Sequence, residues 1–76
     1  MKRLLNKTAK IKQSNDNENY DAFRDLELII THVAYNKDQH PGYDSSMEGE
    51  ALCDFEVKAT GASVPFSLYE YEFDII

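Results

Sequence analysis

The sequence contains a single cysteine, and this scarcity limits the chemistry that the chain can support. Cys53 has no second cysteine with which to form an intramolecular disulfide, and one thiol cannot build a cysteine-based zinc site. Chains without disulfides are typical of the reducing cytosol. We therefore expect a cytoplasmic protein.

Long apolar runs are also missing. Near the first residue the apolar stretch ends after Leu5 and charge resumes at Lys7, which is too short for the apolar part of a signal peptide. No other segment approaches the roughly 20 apolar residues that are needed to span a bilayer. The sequence predicts neither secretion nor a membrane partner.

Basic residues are scarce after residue 13. The chain has 8 Lys and Arg against 14 Asp and Glu, a formal net charge of −6. A basic N-terminal segment, residues 1–13, precedes an acidic body, residues 14–76, whose net charge is −11 because it holds all fourteen acids and three basic residues. Since binding to phosphate needs clustered Lys and Arg, we expect no direct contact between the acidic body and nucleic acid. The basic residues of the first segment are Lys2, Arg3, Lys7, Lys10 and Lys12.

The chain length predicts one small domain, residues 1–76. A domain of this size buries only about 60% of the surface that its unfolded chain exposes, so we expect modest stability. Hydrophobic residues make up 42% of the sequence and include five Tyr and four Phe, which is enough for a small core. No repeat, low-complexity tract or linker divides the chain.

Alternation of apolar and charged residues predicts a β-hairpin in the second half of the chain. In residues 48–59, EGEALCDFEVKA, every second side chain is apolar and the others are mostly charged. The pattern recurs over residues 69–75, after the glycine-containing TGASVP, which is typical of two strands joined by a turn. Cys53 lies on the apolar side, which predicts an inert, buried thiol.

The other segments predict a small, mainly β architecture. Residues 26–35 are rich in β-branched side chains and predict a buried central strand. Residues 20–25 predict a helical turn with its aromatic residues facing the core, and residues 4–13 fit a strand or a helix, with the strand favoured. The expected fold is mainly β, or small α+β: a three- to four-stranded antiparallel sheet or small barrel with at most one short helix. Loops are predicted at residues 14–19 and 36–47.

The register of the hairpin determines what its charged face can do. A turn centred near residues 61–62 sets Asp54 opposite Glu70 on that face. Like charges placed directly opposite each other are destabilising, so the acidic face needs an explanation. The predicted partner-binding residues are this face and two residues of the long loop: Glu50, Asp54, Glu56, Glu70, Glu72, Asp74, Tyr43 and Asp44.

Three explanations of the acidic face compete. It can be a solvated face that keeps the protein soluble, it can be neutralised by Lys10 and Lys12 as cross-strand partners, or it can bind a basic surface of another protein. Carboxylates on one face of a strand are about 6.6 Å apart and neighbouring strands are about 4.8 Å apart. This charge density is similar to the one phosphate per about 3.4 Å on each DNA strand. The third explanation therefore predicts docking into a basic groove built for DNA or RNA.

Such charge mimicry predicts a small, acidic, non-enzymatic binding protein. In size and charge the chain is similar to inhibitors that phages and mobile elements use against restriction or CRISPR systems, which would make the target a nucleic-acid-handling protein. The alternative is a structural accessory protein that oligomerises, as a homodimer, through its terminal strand. A third alternative is nucleic-acid contact by the basic N-terminal segment alone.

No motif indicates catalysis, a metal or a cofactor. His32, His40 and Cys53 belong to three different predicted elements and lack the spacing of metal ligands. Ser45 and Ser46 lie in a loop without the sequence of a nucleophile elbow. The hairpin carboxylates would lie on a flat, solvated face, where no cleft excludes water. We expect that the protein is not an enzyme and needs no cofactor or metal.

Overall fold

The computed structural model describes residues 3–14 and 17–76, and these contain five β-strands and three short 3-10 turns. The strands are β1 (Thr8–Ile11), β2 (Leu28–Ala34), β3 (Leu52–Val57), β4 (Ser63–Tyr69) and β5 (Phe73–Ile75). The 3-10 turns are Glu18–Phe23, Ser45–Met47 and Glu70–Glu72. Lys2 of the basic segment and residues 15–16 of the first predicted loop lie outside the described residues.

The strands form one antiparallel sheet in the order β4-β3-β2-β1-β5. β4 and β5 lie at opposite edges, although only the Glu70–Glu72 turn separates them in sequence. In a flat sheet of five strands the edges would lie about 19 Å apart, since neighbouring strands are about 4.8 Å apart. The four Cα–Cα steps from Tyr69 to Phe73 reach at most about 15 Å. The sheet therefore curls, and its edges approach each other at this turn.

The mainly β, antiparallel prediction is confirmed, with five strands in place of the three or four expected. Residues 8–11 of the ambiguous first segment form a strand, and the strand predicted at residues 26–35 is β2, in the middle of the sheet. The described helical segments are the three 3-10 turns, more than the single short helix expected. None of them is long and apolar enough to cross a membrane.

The Glu18–Phe23 turn, which the sequence places at residues 20–25, packs on the edge strand β4. The ring centroid of Tyr20 lies 4.4 Å from that of Phe66, and Phe23 meets Phe66 edge to face at 5.4 Å. The side chain of Asn17 caps the turn by accepting a backbone N–H two residues further on at 3.0 Å. The aromatic residues of the turn thus face the sheet, as predicted.

The core fills the inside of the curled sheet. Phe55 and Phe73 meet edge to face with ring centroids 5.2 Å apart, although their strands, β3 and β5, are not neighbours in the sheet. This contact across the interior is direct evidence of the curl. Burying one large aliphatic or aromatic side chain stabilises a fold by about 1.5–3 kcal/mol. The other buried members of this core are Leu4, Ala9, Ile11, Leu28, Ile30, Ala51, Cys53, Val57, Val64 and Leu68.

A second, smaller cluster lies on the outer face of the sheet. Ala34 and Leu52 pair across β2 and β3, and Tyr43 from the intervening loop covers them. All three are 3% exposed or less, and Tyr69 packs against them. The loop that the sequence predicts at residues 36–47 therefore folds onto the sheet instead of extending into solvent.

The predicted register of the hairpin is wrong. Asp54 lies opposite Ser67 instead of Glu70. Two residues further along β3, Glu56 lies opposite Ser63, so two steps on β3 correspond to four on β4 and the pairing contains a bulge. The cross-strand neighbour of Asp54 is consequently a hydroxyl, and the predicted repulsion between facing carboxylates does not arise there.

The second predicted hairpin strand is also interrupted. Its alternation predicts one strand through residues 69–75, but β4 ends at Tyr69 and the Glu70–Glu72 turn follows. Tyr71 is consequently 60% exposed, whereas Phe73, two residues further on, is 3% exposed. The interruption moves β5 to the opposite edge of the sheet and separates carboxylates that the prediction aligns.

Candidate functional site

Tyr43 anchors the loop between β2 and β3 on the sheet. Its hydroxyl shares one proton between the carbonyl oxygens of Met47, at 2.5 Å, and Glu50, at 2.6 Å. Burial, more than any neighbouring charge, raises the pKa of this hydroxyl. The sequence predicts a partner contact for Tyr43, but the structure places the ring inside the protein, where it supports the loop. Glu50 supplies a carbonyl to the anchor and is otherwise exposed.

Three polar side chains meet beside this anchor: His40, Asp54 and Ser67. His40 Nε2 lies 3.1 Å from Asp54 Oδ1 and 3.2 Å from Ser67 Oγ. The Ser67 hydroxyl donates to the same Asp54 oxygen. The backbone N–H of Gly42 donates to His40 Nδ1 at 3.0 Å, so the neutral ring carries its proton on Nε2. These bonds attach the loop to β3 and β4.

The hydrogen-bond directions in this network differ from those of a nucleophilic serine. A nucleophilic serine must donate its proton to a histidine nitrogen. Here the proton of Ser67 goes to Asp54, and both nitrogens of His40 are already engaged, one as acceptor and one as donor. The sequence signals for the network are weak, because Ser67 lies in an apolar strand and His40 in a polar loop. The sequence predicts Asp54 as a partner contact, but its carboxylate is engaged in these internal hydrogen bonds.

Asp44 begins the Ser45–Met47 turn as its N-cap. Its carboxylate accepts the backbone N–H of Ser46 at 3.0 Å and the hydroxyl of the same residue at 2.8 Å. These two bonds lower the pKa of Asp44, the backbone bond most, because they favour the charged form. The N–H of Asp44 in turn donates to the Tyr69 hydroxyl at 2.9 Å. Asp44 thus connects the loop to β4.

We expect the Ser45–Met47 turn to loosen in acid. A carboxyl group with a lowered pKa stabilises the folded loop fully above its ordinary pKa, 3.8 for Asp44, and this stabilisation is lost as the pH falls through the lower, folded-state value. The protection of the Ser46 amide against hydrogen exchange should therefore fall below about pH 4. Asp44→Asn keeps an acceptor oxygen but does not titrate, so its protection should not change with pH. Wild-type protection that is constant across this range would contradict the prediction.

Tyr69 and Tyr71 form a stacked pair at the surface. Their ring planes differ by 7° and their centroids lie 6.2 Å apart. Tyr69 also meets the buried ring of Tyr43 edge to face at 5.6 Å, so the loop anchor supports the pair from beneath. The sequence places Tyr71 on the core face of a strand, but its exposure makes it a surface residue.

Glu72 connects the stacked pair to the Glu18–Phe23 turn. Its carboxylate accepts the backbone N–H of Tyr69 at 3.1 Å. It also accepts a hydrogen bond from the hydroxyl of Tyr20. Burial is the largest cause that raises the pKa of Tyr20, and the charge of the Glu72 carboxylate is the next. Asp44 and Glu70 flank the same pair, one bonded to the Tyr69 hydroxyl and the other next to Tyr69 in the chain. We call the following residues the tyrosine–acid surface: Tyr20, Asp44, Tyr69, Glu70, Tyr71 and Glu72.

The remaining predicted carboxylates do not join one array. Glu56 is exposed on β3, away from the edge of the sheet, and Asp54 is held by the polar network. Asp74 on β5 lies opposite Lys10, and its carboxylate is 3.9 Å from the Lys12 ammonium. Internal neutralisation, one of the three explanations from the sequence, therefore applies to Asp74. The predicted contacts that remain close together are the three acids of the tyrosine–acid surface.

A groove of about 470 Å³ lies between the basic segment and the Glu70–Glu72 turn. Arg3, Lys7 and Lys12 line it together with Glu70. Three basic residues of the first segment therefore lie against the acidic body, and Glu70 borders both this groove and the stacked tyrosines. The fold brings together the two charge blocks that are separate in the sequence.

Among the described residues, no group of three or more His, Cys, Asp or Glu side chains is arranged to hold a metal ion. Cys53 is completely buried in the core, as predicted. The two side-chain clusters described above are the tyrosine–acid surface and the network of His40, Asp54 and Ser67. Comparison of the chain with protein-family models, with curated proteins and with solved structures finds no match.

Proposed function

We propose that the protein is a non-enzymatic binding protein that engages a basic surface of another protein through the tyrosine–acid surface. The observation that carries this proposal is the exposed ring of Tyr71, stacked on Tyr69 and accompanied by carboxylates. Exposed tyrosines are frequent energetic centres of protein interfaces. The acidic body would attract a basic partner over a distance and speed the encounter.

Part of the surface, Tyr69 and Glu72, is held in place before any partner arrives. The N–H of Asp44 fixes the Tyr69 hydroxyl, and Glu72 is fixed by the N–H of Tyr69. Side chains that are already ordered lose less entropy on binding, which favours affinity. The ordered Tyr69 ring and Glu72 carboxylate therefore support binding better than flexible acidic side chains on a solvated face.

We propose the cytoplasm as the place of action, and a nucleic-acid-handling protein, as for an anti-restriction or anti-CRISPR inhibitor, as the partner. The net charge of −6 supports this finer proposal. The regular array of carboxylates on two strands, which the sequence predicts, does not form. A basic groove that binds DNA or RNA is still the surface that such a charge complements. Competition by nucleic acid tests this part separately.

The test is capture of a partner from extract of the native cell by the immobilised protein. Tyr71→Ala and Glu70→Lys should each abolish retention of a basic protein that the wild type retains. Elution by salt should follow, because the Debye length falls from about 10 Å at 0.1 M salt to about 3 Å at 1 M. Competition by duplex DNA would identify a nucleic-acid-binding groove as the docking site.

Glu56→Lys is the matched control, because it makes the same change of charge at an exposed position on β3. This variant should retain the partner, and circular dichroism should show that all variants are folded. Equal retention by Tyr71→Ala and the wild type would reject the proposed surface, and loss of retention in Glu56→Lys would mean that net charge alone matters.

Pairing through the terminal strand is less well supported as an alternative. β5 offers three residues, Phe73–Ile75, and the central one is the charged Asp74. Short edges that carry charge are how native sheets avoid pairing with other copies. A mass in size-exclusion chromatography that rises above the monomer with concentration would favour the homodimer instead.

A further inference from the structure

The geometry points to an arginine side chain of the partner as the group that binds the tyrosine–acid surface, its guanidinium plane stacked on Tyr71 and paired with a neighbouring carboxylate. This inference rests on the proposed function and names the chemistry of the partner. It predicts a basic segment in which arginine, and not positive charge alone, provides recognition.

Tyr71 presents an exposed ring beside a second tyrosine. Its ring plane is within 7° of that of Tyr69, with the centroids 6.2 Å apart, and the residue is 60% exposed. The Glu70–Glu72 turn produces this exposure, because a continuing strand would direct the ring to the core. An exposed aromatic ring with a solvent-accessible face can accept a cation on that face.

Two carboxylates lie next to Tyr71 in the chain. Glu70 and Glu72 immediately flank Tyr71 in the same three-residue turn. The carboxylate of Glu72 is oriented by the N–H of Tyr69 and lies beside the Tyr20 hydroxyl, so its position does not depend on a partner. A cation above Tyr71 would therefore meet a ring and an acid on the same short segment.

Arginine and lysine differ in how they interact with an aromatic ring and a carboxylate. The guanidinium is planar, weakly hydrated and able to stack on an aromatic face while its edge pairs with a carboxylate. The lysine ammonium is a strongly hydrated point charge that gains less from a ring. Because the surface combines an aromatic face with acids, it should favour arginine over lysine at equal charge.

Two unstructured probe peptides with equal spacing and charge test the inference, one with arginine and one with lysine at every basic position. Fluorescence anisotropy at low salt should show roughly 2- to 5-fold tighter binding of the arginine peptide, the range that corresponds to an exposed cation–π contact. Tyr71→Leu keeps an apolar side chain but removes the ring, so it should abolish this preference. The ring protons of Tyr71 should shift in NMR spectra on addition of the arginine peptide.

Glu56→Lys is again the control, because it should weaken both peptides equally and leave their ratio unchanged. Equal affinity of the two peptides in the wild type, or a preference that persists in Tyr71→Leu, would overturn the arginine inference while leaving the proposed function in place. Failure of the wild type to bind either peptide would overturn the inference too. Failure of the proposed function is recognised separately, by the capture experiment.

Discussion

Replacement of Phe73 by alanine is expected to lower the free energy of unfolding by about 3–5 kcal/mol, whereas replacement of Tyr71 should change it by less than about 0.5 kcal/mol. Phe73 is 3% exposed and contacts Phe55 across the core, so its removal leaves a cavity. Tyr71 is a surface residue at 60% exposure. Urea denaturation followed by circular dichroism measures both values.

These two positions distinguish the curled sheet from an uninterrupted hairpin. In one continuous strand, residues 71 and 73 would share a face and their substitutions would have similar effects. A small domain has about 5–15 kcal/mol of stability in all, so Phe73→Ala should leave a substantially destabilised protein. Phe73→Leu, which keeps most of the volume, should recover most of the loss. Equal effects of the two alanine substitutions would contradict the Glu70–Glu72 turn.

Cys53 is expected to react with iodoacetamide about a thousandfold more slowly in the native protein than in the unfolded chain at about pH 8. Burial, and then the charges of Glu70 and Asp54, raise the pKa of this thiol to about 12. At that pKa roughly one thiol in 10⁴ is ionised at this pH, compared with about one in four for a free cysteine. Mass spectrometry of timed samples, with and without denaturant, measures the ratio.

The same raised pKa predicts how stability responds to alkali. The folded protein holds the Cys53 proton more tightly than the unfolded chain, whose thiol has a pKa of about 8.5. The thiol therefore stabilises the fold fully below that value, and the contribution is lost as the pH rises toward the folded-state pKa. Cys53→Ala should flatten this part of the stability profile. Fast labelling of the native protein would show that the thiol is accessible. An unchanged alkaline slope in the variant would show that its pKa is not raised.

Much of the fold could be predicted because the relevant signals are local. The β-branched run around Ile30 predicts a central strand, and the alternation around Phe55 predicts the strand next to it. The aromatic residues of the first turn also face the sheet as expected, because their spacing places them on one side of a short helical segment. In each case the element that the side-chain pattern predicts lies within a few residues of the observed one.

The register and the fifth strand could not be predicted, because no local signal marks them. The bulge opposite Phe55 adds residues to β4 without any break in the apolar pattern other than Pro65. The turn at Glu70–Glu72 preserves the alternation of charged and aromatic residues, so a strand and a turn have the same pattern there. The difference depends on the core contact of Phe73, which is a tertiary interaction.

Only part of the candidate site could be predicted from the sequence, because the rest depends on contacts between distant segments. Charge and an aromatic-rich run identify Glu70 and Glu72, but the exposure of Tyr71 follows from the turn and is not visible in the pattern. Asp54 belongs to a network with residues from the loop and from β4, which meet only after the loop folds onto the sheet. Contacts between distant segments therefore decide which acids are available to a partner.

The pairing of β1 with β5 also has a kinetic consequence. Ala9 must find Ile75, whereas β2, β3 and β4 pair with their neighbours in the chain. Contacts between residues so far apart in sequence slow folding, because the loop between them must be closed before they contribute any stability. We expect the three-stranded meander to form the folding nucleus and the last edge strand to dock late, after the transition state.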